Sequence, residues 1–521
     1  MTKKVMLGNE AIARGAYEAG CHVAAGYPGT PSTEILETIA YKYKDIKSQW
    51  SPNEKVALEV AAGASIAGAR SLAAMKHVGL NVAADPLFTF SYTGVNGGFV
   101  IINADDPGAW SSQNEQDNRH LARAAKVPMI EPSSPEEARE FTRIAFDISE
   151  EFDRPVIVRI TTRIAHSQGI VSEMERKEVP VREFIRNPQK YVMIPAHARP
   201  RHKFIEEQLV KLKEYSEKSG LNRIEWAGKK RGIITNGVAY QYVKETCPDD
   251  SVLKIGMIWP LPDALIRKFA AGVEELYVVE ELDPFIEDYV KALGIKATGK
   301  DIIPLLGELT PEIVNFCMNG KKIEKTVPDY TDPVPGRPPS LCKGCPHAWV
   351  FDILKKLDMN VNGDIGCYTL GVLPPYSAMH TQGCMGASIG MHLGFEKAHG
   401  PEMAAKSVAV IGDSTFIHSG ITALIDLVYN KGTGTVIILD NRITAMTGHQ
   451  ENPGTGITLM GETTHELDLE MVCRAAGVKR VVVIDPKNIE ELEKIIVEET
   501  STREPSVIIT RRRCILVKGG A

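Results

Sequence analysis

The chain alternates helix-like segments with short apolar runs that are typical of buried strands. In the amino-terminal part, residues 9–20 have helical periodicity and residues 56–70 form a helix-like stretch of small side chains. Residues 21–26, 98–103 and 155–161 are short apolar runs. Because such runs recur between helices, the pattern predicts a mainly parallel sheet with helices on its faces.

Two changes of character divide the chain into blocks. Residues 191–228 are rich in charge and poor in apolar pattern, which predicts a charged linker with a solvated helix. A second alternating block, 229–330, contains the apolar runs of "RGIITNG", "VLKIGMIWP" and "LYVVEEL". A proline-rich joint at 332–340 leads into a third block. We therefore expect domains at 1–190, 229–330 and 335–521.

The composition is that of a globular protein and narrows the possible partners. A chain of 521 residues, 43% hydrophobic and 24% charged, is long enough for several domains. A net charge of −6 gives no reason to expect nucleic acid as a partner. No apolar run reaches the ~18–20 residues that span a bilayer, and the amino terminus has no signal-peptide core. We expect a cytoplasmic protein with no membrane partner.

Polar residues follow two strands of one βαβ unit in the third block. The first strand leads into Gly412-Asp413-Ser414, and the second ends at Asn441. Ligands of parallel α/β sheets bind outside the carboxyl ends of the strands, where a carboxylate and an amide oxygen can hold a Mg²⁺ that grips a diphosphate. Gly412 lets the backbone approach phosphate, and the following helix N-terminus favours its charge. Taken alone, the triplet could also be a strand-to-helix turn with an aspartate cap.

The cysteines are unevenly placed. Nine cysteines in a cytoplasmic chain are not expected to form disulfides, and four of them lie between residues 342 and 384, which points toward a metal. Cys342 and Cys345 have CxxC spacing, and Cys367 follows in "GDIGC". A lone CxxC could be a zinc knuckle, a redox pair or neither, but a zinc site calls for a second close cysteine pair or a histidine pair at familiar spacing, and the sequence has neither. A [4Fe–4S] cluster needs four thiolates.

Eight segments form a specific combination along nearly the whole chain. They are "YPGTPSTEI", "ALEVAAGASIAGAR", "MKHVGLNVAADP", "SSQNEQDNR", "RPPSLCKGCPH", "GDIGCYTLG", "GDSTFIHSG" and "DNRITAMTGHQ". This combination resembles the thiamine-diphosphate-dependent 2-oxoacid:ferredoxin oxidoreductases, and among them the alpha subunits of indolepyruvate:ferredoxin oxidoreductases. The resemblance implies an α/β fold class with three doubly wound domains: pyrimidine-binding, transketolase-C-terminal-like and diphosphate-binding.

The resemblance assigns roles at the diphosphate end. It implies that the side chains of Asp413 and Asn441 and the backbone carbonyl of Ile443 are the magnesium ligands. His380, in "MHTQGCMGASIG", precedes a Gly- and Ala-rich helix whose start could meet the diphosphate.

Thiamine chemistry also needs a carboxyl group against the aminopyrimidine ring, where it can share a proton with the ring. Glu59 lies among small and apolar residues in "NEKVALEVAAGASIAGAR", which predicts that its side chain is buried, and the segment resembles the pyrimidine-side motif of the family. An exposed helical glutamate is the alternative. Glu54 is the nearby competitor, but we expect it in a polar turn. We therefore expect Glu59 to be the catalytic carboxylate.

The segment "AAGYPGTPSTEIL" predicts a strand, a sharp turn and a helix start, with Thr30 as N-cap and Pro31 at the first helical position. The free N–H groups and the Thr30 hydroxyl could receive the substrate carboxylate. Capping alone also explains Thr30, so its substrate role comes from the resemblance. Lys76 and His77 are candidates for the same pocket. Such residues are more often at the surface, or in the core with their polar groups hydrogen-bonded.

The resemblance also implies a cluster on one CxxC, one later cysteine and a fourth, distant cysteine. Cys342, Cys345 and Cys367 supply the first three. Cys514 follows the final strand at about the expected place, and we prefer it to Cys473 or Cys384.

The implied reaction converts an aryl pyruvate and coenzyme A to aryl-acetyl-CoA, carbon dioxide and reduced ferredoxin. The family also implies a smaller beta subunit, and the cofactor's habit of lying between domains or subunits makes us expect a dimer of heterodimers. Family members usually continue into a ferredoxin-like domain with two runs of cysteines, whereas this chain ends at "CILVKGGA". Three explanations are open: the sequence is truncated, it is a short form that uses a separate electron carrier, or it catalyses a different reaction from the family.

Two other functions are compatible with parts of this pattern. A non-oxidative 2-oxo acid decarboxylase or carboligase would use the same thiamine site without iron. A non-catalytic scaffold would keep the fold and lose thiamine affinity, which the presence of Asp413, Asn441 and Glu59 argues against.

Overall fold

The computed structural model describes residues 2–322 and 338–517. The chain divides into two units, Met1–Pro328 and Asp329–Ala521. Parallel sheets flanked by helices make up both units, which confirms the predicted α/β fold class. Among the described helices, none is both long enough and apolar enough to cross a membrane.

The described residues of the first unit form three sheets. Its strands are β1 (Thr2–Leu7), β2 (Val23–Gly26), β3 (Lys47–Trp50), β4 (Ser71–Lys76), β5 (Phe99–Asp105), β6 (Met129–Ile130), β7 (Val156–Thr161), β8 (Gln168–Glu173), β9 (Arg223–Glu225), β10 (Arg231–Asn236), β11 (Ser251–Ile255), β12 (Met257–Trp259) and β13 (Glu275–Val279). A seven-stranded sheet has the order β12-β6-β7-β5-β4-β2-β3 and is parallel except for β12. A four-stranded sheet has the order β13-β10-β11-β9, with only β9 antiparallel, and β1 pairs with β8.

Helices cover these sheets. They are α1 (Gly8–Glu18), α2 (Thr33–Lys42), α3 (Glu54–Ile66), α4 (His77–Val82), α5 (Ala84–Thr93), α6 (Arg119–Ala125), α7 (Pro135–Phe152), α8 (Thr162–His166), α9 (Pro188–Tyr191), α10 (Pro195–Lys218), α11 (Gly237–Thr246), α12 (Asp263–Ala271), α13 (Phe285–Ala292) and α14 (Pro311–Asn319). Side-chain caps fix where several of these helices begin. At the start of α3, for example, the side chain of Asn53 accepts a hydrogen bond from the backbone amide of Val56.

The segment expected to be a charged linker is more ordered than predicted. It contains α10, whose Ile205 and Leu212 are buried, and β9, which pairs with β11. Charge on the exposed face of α10 concealed these buried positions. Most of the proline-rich joint expected at 332–340, and the expected domain limits beside it, lie outside the described residues.

In the second unit, the part of the chain that the structure describes forms one parallel sheet of six strands. Its strands are β14 (Asn360–Gly363), β15 (Thr381–Gln382), β16 (Ser407–Gly412), β17 (Thr435–Asp440), β18 (Arg480–Ile484) and β19 (Ser506–Arg511), in the order β15-β14-β16-β17-β19-β18. Its helices are α15 (Pro346–Lys356), α16 (Ser388–His399), α17 (Pro401–Ala405), α18 (Asp413–Thr415), α19 (Ile421–Tyr429), α20 (Leu469–Ala475) and α21 (Ile489–Ser501), with a 3₁₀ helix at Cys367–Val372 and a π-helix at Phe416–Gly420.

Both faces of this sheet are buried. Val408 and Val410 of β16 point into one apolar core, and Ala409 and Ile411 point into another. Successive side chains of a strand face opposite sides, so a strand covered on both faces is apolar throughout. Because helices cover both faces of the sheet, polar residues of different strands can lie together only at the strand ends.

Candidate active site

Three parallel strands of the first unit end at one edge of the seven-stranded sheet. β2 ends at Gly26, β4 at Lys76 and β5 at Asp105. The register sets Ala104 beside Lys76, so the ends of β4 and β5 are nearly level. Ligands of parallel α/β sheets bind outside such ends. The turn after β2, the start of α4 and the loop after β5 therefore form the candidate site of this unit.

The turn after β2 corrects the expectation for Thr30. Ser32, not Thr30, is the N-cap of α2, and the helix begins at Thr33. The backbone amide and the hydroxyl of Ser32 both donate to the Gly29 carbonyl, at 2.8 and 2.9 Å, so the turn closes before the helix starts. Thr30 still lies at the sheet edge, where its carbonyl accepts the Ser111 hydroxyl at 3.5 Å.

Two glutamates of α3 have surroundings opposite to those predicted. Glu59 has 39% of its side chain exposed and forms an ion pair with Lys55. Residues four apart share a helix face, so Glu59 lies on the exposed face with Lys55 despite its apolar neighbours in sequence. Glu54, expected in a polar turn, is the first residue of α3 and is 5% exposed. Glu54 is therefore the buried carboxylate of this helix.

Lys76 and His77 are buried where β4 meets α4. The Lys76 Nζ donates to the Ser111 carbonyl at 2.9 Å, and the His77 Nε2 lies 3.1 Å from the Asn114 carbonyl. Burial lowers the pKa of Lys76 to about 8, although the charge of Asp106 acts to raise it. Burial also lowers the pKa of His77 to about 4. At neutral pH the lysine is charged and the histidine is neutral.

Asp106, which was not predicted, organises the loop after β5. Its carboxylate accepts the Ser111 amide at 2.8 Å and the hydroxyls of Ser112 and Thr162 at 2.7 Å each. Burial raises the pKa of Asp106, but these donors outweigh it and hold the pKa below its usual value. The loop thereby brings carbonyls over Lys76 and His77. Two consecutive aspartates after a buried strand were the available signal.

In the second unit, Asp413 follows the end of β16 as predicted. It is 3% exposed, and its Oδ2 has no hydrogen-bond partner among the described residues. Burial, and then the charge of Asp440, raise the pKa of Asp413 to about 7. A buried carboxylate oxygen with no donor, beside a second carboxylate, fits a bound divalent cation.

Asn441 follows β17, as predicted, and lies beside His347. His347 was not predicted to belong to the site. The Asn441 Nδ2 is 3.3 Å from the His347 Nε2, and the Asn441 Oδ1 accepts the amide of Ile443 at 3.3 Å. Burial lowers the pKa of His347 to about 4, so the ring is neutral and its Nε2 can accept the amide proton. This pairing orients the amide of Asn441. The histidine two residues after Cys345 in "GCPH" was the available signal.

The aromatic ring of Tyr368 fills the space beside Gly412. A Cβ on Gly412 would come within 2.6 Å of Tyr368 Cε1, so only glycine fits there. The ring thus requires a glycine here, and the approach of phosphate to its backbone stays a prediction. Next along the chain after Asp413, Ser414 is half-buried.

His380 does not lie with these strand ends. It is exposed and directly precedes β15, and its Nδ1 accepts the amide of Val361 at 3.0 Å. Val361 pairs with Val408 near the start of β16, so His380 is level with the amino-terminal half of that strand. The structure therefore separates His380 from the end where the diphosphate is expected.

A buried aspartate occupies the start of the glycine-rich helix. Asp364 accepts the amides of Gly386 and Ser388 at 2.7 and 2.9 Å. These donors, which the sequence had suggested for a diphosphate, are thus used within the protein. Asp364 lies in "GDIGC", and its role was not predicted.

The cysteines predicted to bind a cluster come together in the second unit. They are Cys342, Cys345, Cys367 and Cys514. Burial, and then the charges of the other three, raise the pKa of the Cys367 thiol to about 11, so the other three thiols lie within electrostatic range of Cys367. Of the two alternatives, Cys473 is in an apolar core, and Cys384 is exposed and is not among the charges that shift the pKa of Cys367. Four neighbouring thiols of this kind fit a metal, whose positive charge would let them ionise together.

Comparison with known proteins agrees with these features. The family model "Pyruvate flavodoxin/ferredoxin oxidoreductase, thiamine diP-bdg" matches residues 14–224. The family model "Thiamine pyrophosphate enzyme, C-terminal TPP binding domain" matches residues 364–510. The first match contains the sheet edge around Lys76, and the second contains Asp413 and Asn441.

Relatives match nearly the whole chain. The indolepyruvate oxidoreductase subunit IorA of Archaeoglobus fulgidus is 41% identical over 99% of this chain and 87% of its own length. The same subunit of Methanothermobacter marburgensis is 42% identical, also over 99% of this chain and 87% of its own length.

A solved structure has the same fold. The 2-oxoglutarate:ferredoxin oxidoreductase of Magnetococcus marinus, with 2-oxoglutarate, coenzyme A and succinyl-CoA bound, matches with a TM-score of 0.51 at 18% identity, over 60% of this chain and 64% of that chain. The sequence identity of the relatives, which extends over almost all of this chain, shows the family as well as the fold. The chain belongs to the IorA family of indolepyruvate oxidoreductase subunits, which are thiamine-diphosphate-dependent oxidoreductases of 2-oxo acids.

Proposed function

We propose that this subunit, with a smaller beta subunit, oxidatively decarboxylates aryl pyruvates such as indolepyruvate. The 2-oxo acid anion and coenzyme A give aryl-acetyl-CoA, carbon dioxide, one proton and two electrons. The electrons pass to ferredoxin or to another electron-carrier protein. The names of the relatives support the substrate, and the ligands of the 2-oxoglutarate enzyme support coenzyme A as co-substrate.

One observation favours an oxidative reaction over a simple decarboxylation. The backbone amide of Cys514 donates to the carbonyl of Asn441 at 3.1 Å. This bond holds Cys514, one of the four proposed cluster ligands, beside the strand end that we assign to magnesium and diphosphate. Electrons released at that end would have a short path to a cluster, which a non-oxidative enzyme would not need.

The donors at these strand ends suit magnesium. We assign the Asp413 carboxylate, the Asn441 side chain and the Ile443 carbonyl to Mg²⁺, which prefers oxygen ligands. Thiamine diphosphate, when bound, supplies the electron sink that makes loss of carbon dioxide possible. His347 keeps the Asn441 amide oriented. Asp440 forms ion pairs with Arg511 and Arg442 and acts on Asp413 through its charge.

Glu54 is our candidate for the carboxyl group that shares a proton with the aminopyrimidine. Its burial supports this role, because a group that exchanges a proton with a cofactor must be shielded from competing water. Glu59, the residue expected from the sequence, is half-exposed and already paired with Lys55.

Thr30 and His77 are proposed to bind the substrate at the same sheet edge. The Nδ1 of His77 is buried and has no hydrogen-bond partner among the described residues. Because the neutral ring donates from Nε2 to the Asn114 carbonyl, Nδ1 is an acceptor, and a substrate N–H or hydroxyl would give it a donor. Thr30 would offer its hydroxyl from the turn after β2. Both residues would position the substrate, since His77 stays neutral at physiological pH.

The cysteine group gives the electrons a carrier. We propose that Cys342, Cys345, Cys367 and Cys514 hold a [4Fe–4S] cluster, which accepts one electron at a time, as ferredoxin does. The subunit name of the relatives supports a partner chain, and we propose that two such pairs associate.

Product analysis tests this proposal. The anaerobic complex of both subunits, with thiamine diphosphate and Mg²⁺, is given indolepyruvate with and without coenzyme A. Formation of indole-acetyl-CoA when coenzyme A is present, without accumulation of indole-acetaldehyde, supports the proposal. Indole-acetaldehyde that forms equally in both cases would instead establish a non-oxidative decarboxylase.

A further inference from the structure

Lys76 carries a buried charge that no carboxylate contacts among the described residues. The side chain is 9% exposed, and its Nζ donates to one neutral acceptor, the Ser111 carbonyl, at 2.9 Å. An ammonium group has three donors, so two of them are left for another acceptor. Burying a charged ammonium costs free energy unless an anion pairs with it.

The nearest carboxylates do not fill this need. Asp106 and Glu54 act on Lys76 through their charge, but neither forms an ion pair with it. Both oxygens of Asp106 are taken, one by Ser111 and Ser112 and the other by Thr162. Asp106 therefore holds the loop through Ser111, Ser112 and Thr162 and forms no ion pair with the lysine.

The lysine head group is held in place from two sides. A Cβ on Gly29 would lie 3.2 Å from both Cγ and Cδ of Lys76, so the turn after β2 packs against the stem. Ser111 bridges this turn and the lysine: its carbonyl accepts the Lys76 ammonium, and its hydroxyl donates to the Thr30 carbonyl. His77, the next residue, presents its buried Nδ1.

We propose that Lys76 binds the carboxylate of the 2-oxo acid substrate. The inference rests on the proposed function and deepens it, because it names the residue that selects an anionic substrate. Hydrogen bonds between an ammonium and a carboxylate are among the strong ones in proteins. The same carboxylate leaves as carbon dioxide, so the contact disappears once decarboxylation has occurred. Neutral 2-oxo compounds would lack this contact and bind weakly.

Calorimetric binding to the complete complex, with thiamine diphosphate and Mg²⁺, tests the inference without turnover. The probes are indole-3-propionate and its neutral amide. The native complex should bind the acid about 10-fold to 100-fold more tightly than the amide, the range expected of a hydrogen bond between charged groups. Lys76→Met should abolish this preference and leave the amide affinity unchanged. Lys44→Met, which changes an exposed lysine of the same unit, should keep the native preference.

Lys76→Arg separates a role in binding from a role in folding. This variant keeps a positive charge, so it should still prefer the acid even if Lys76→Met binds neither probe. The inference is overturned if the native complex does not distinguish acid from amide, if Lys76→Met keeps the preference, or if Lys76→Arg loses it. Each of these results leaves the product analysis intact, so failure of the inference and failure of the proposed function can be told apart.

Discussion

The side chain of Glu54 lies so close to Gly79 that a Cβ on Gly79 would come within 2.7 Å of the Glu54 Cγ and 2.8 Å of its Oε1. Gly79 lies in the first turn of α4, just after Lys76 and His77. The missing side chain thus lets the buried carboxylate of α3 approach the end of β4. This glycine thus lets the carboxylate that we propose to share a proton lie beside the helix that follows Lys76.

The two glutamates of α3 can be compared directly by substitution. Glu54→Gln should lower kcat by about 100-fold or more, the range of a lost acid–base group. Glu59→Gln should retain nearly native kcat, because it removes only half of an exposed ion pair. Steady-state rates of dye reduction measure both. A large loss in Glu59→Gln with a native rate in Glu54→Gln would restore the assignment expected from the sequence.

Gly79→Ala should disturb the packing around Glu54. The added methyl group must push the carboxylate aside, which typically costs about 1–3 kcal/mol of stability. Gly63→Ala is the matched control, because a Cβ on Gly63 meets nothing within 4 Å and α3 should gain about 0.5–1 kcal/mol. Thermal unfolding of the two variants should therefore shift in opposite directions. Equal shifts would show that Gly79 does not need to be a glycine.

The elements could be predicted because the pattern that makes them is local. The apolar runs at 21–26 and 155–161 appear as β2 and β7, since a strand covered on both faces must be apolar along its length. The ends of β16 and β17 likewise hold Asp413 and Asn441, as the polar residues after each run indicated. The residue that comes after a strand is fixed by chain order, which can be read directly from the sequence.

Other parts of the site depend on contacts between distant segments. Apolar neighbours predicted burial of Glu59, but which helix face is buried depends on what packs against the helix. The role of His347 appears only when α15 brings it to Asn441, and that of Asp106 only when its loop folds over. The choice of Cys514 as the fourth cluster ligand comes from the family resemblance alone and stays a prediction, because nothing near it in sequence connects it with Cys345.

Iron content tests the cluster ligands. Cys514→Ser should reduce the iron bound by the anaerobically purified complex and weaken its charge-transfer absorption, because one of four thiolates is lost. Cys384→Ser, which changes an exposed cysteine outside the group, should keep the native iron content. Unchanged iron in Cys514→Ser would rule out that ligand.

The pH dependence of KM reports on Lys76. Burial lowers the pKa of Lys76 to about 8, so the ammonium loses its proton as the pH rises through that value. Substrate binding should weaken accordingly, and KM for the 2-oxo acid should increase above about pH 8. Asp106 and Glu54 act in the opposite direction and keep the lysine charged at neutral pH, while His77, with a pKa of about 4, does not titrate in this range.

Lys76→Arg is the control for this profile. A guanidinium stays protonated far above pH 9, so the rise in KM should disappear in this variant. A native enzyme whose KM is constant between pH 7 and pH 9.5, or an arginine variant with the native profile, would assign the titration to another group.

Counting electrons against carbon dioxide is the most direct test of oxidative decarboxylation. The anaerobic complex, with thiamine diphosphate, Mg²⁺, indolepyruvate and coenzyme A, is mixed with an oxidised viologen, and reduced dye and released carbon dioxide are measured together. We predict two molecules of one-electron dye reduced for each carbon dioxide, and neither product without coenzyme A. Carbon dioxide released at full rate with no reduced dye would contradict the oxidative mechanism and leave a non-oxidative decarboxylase.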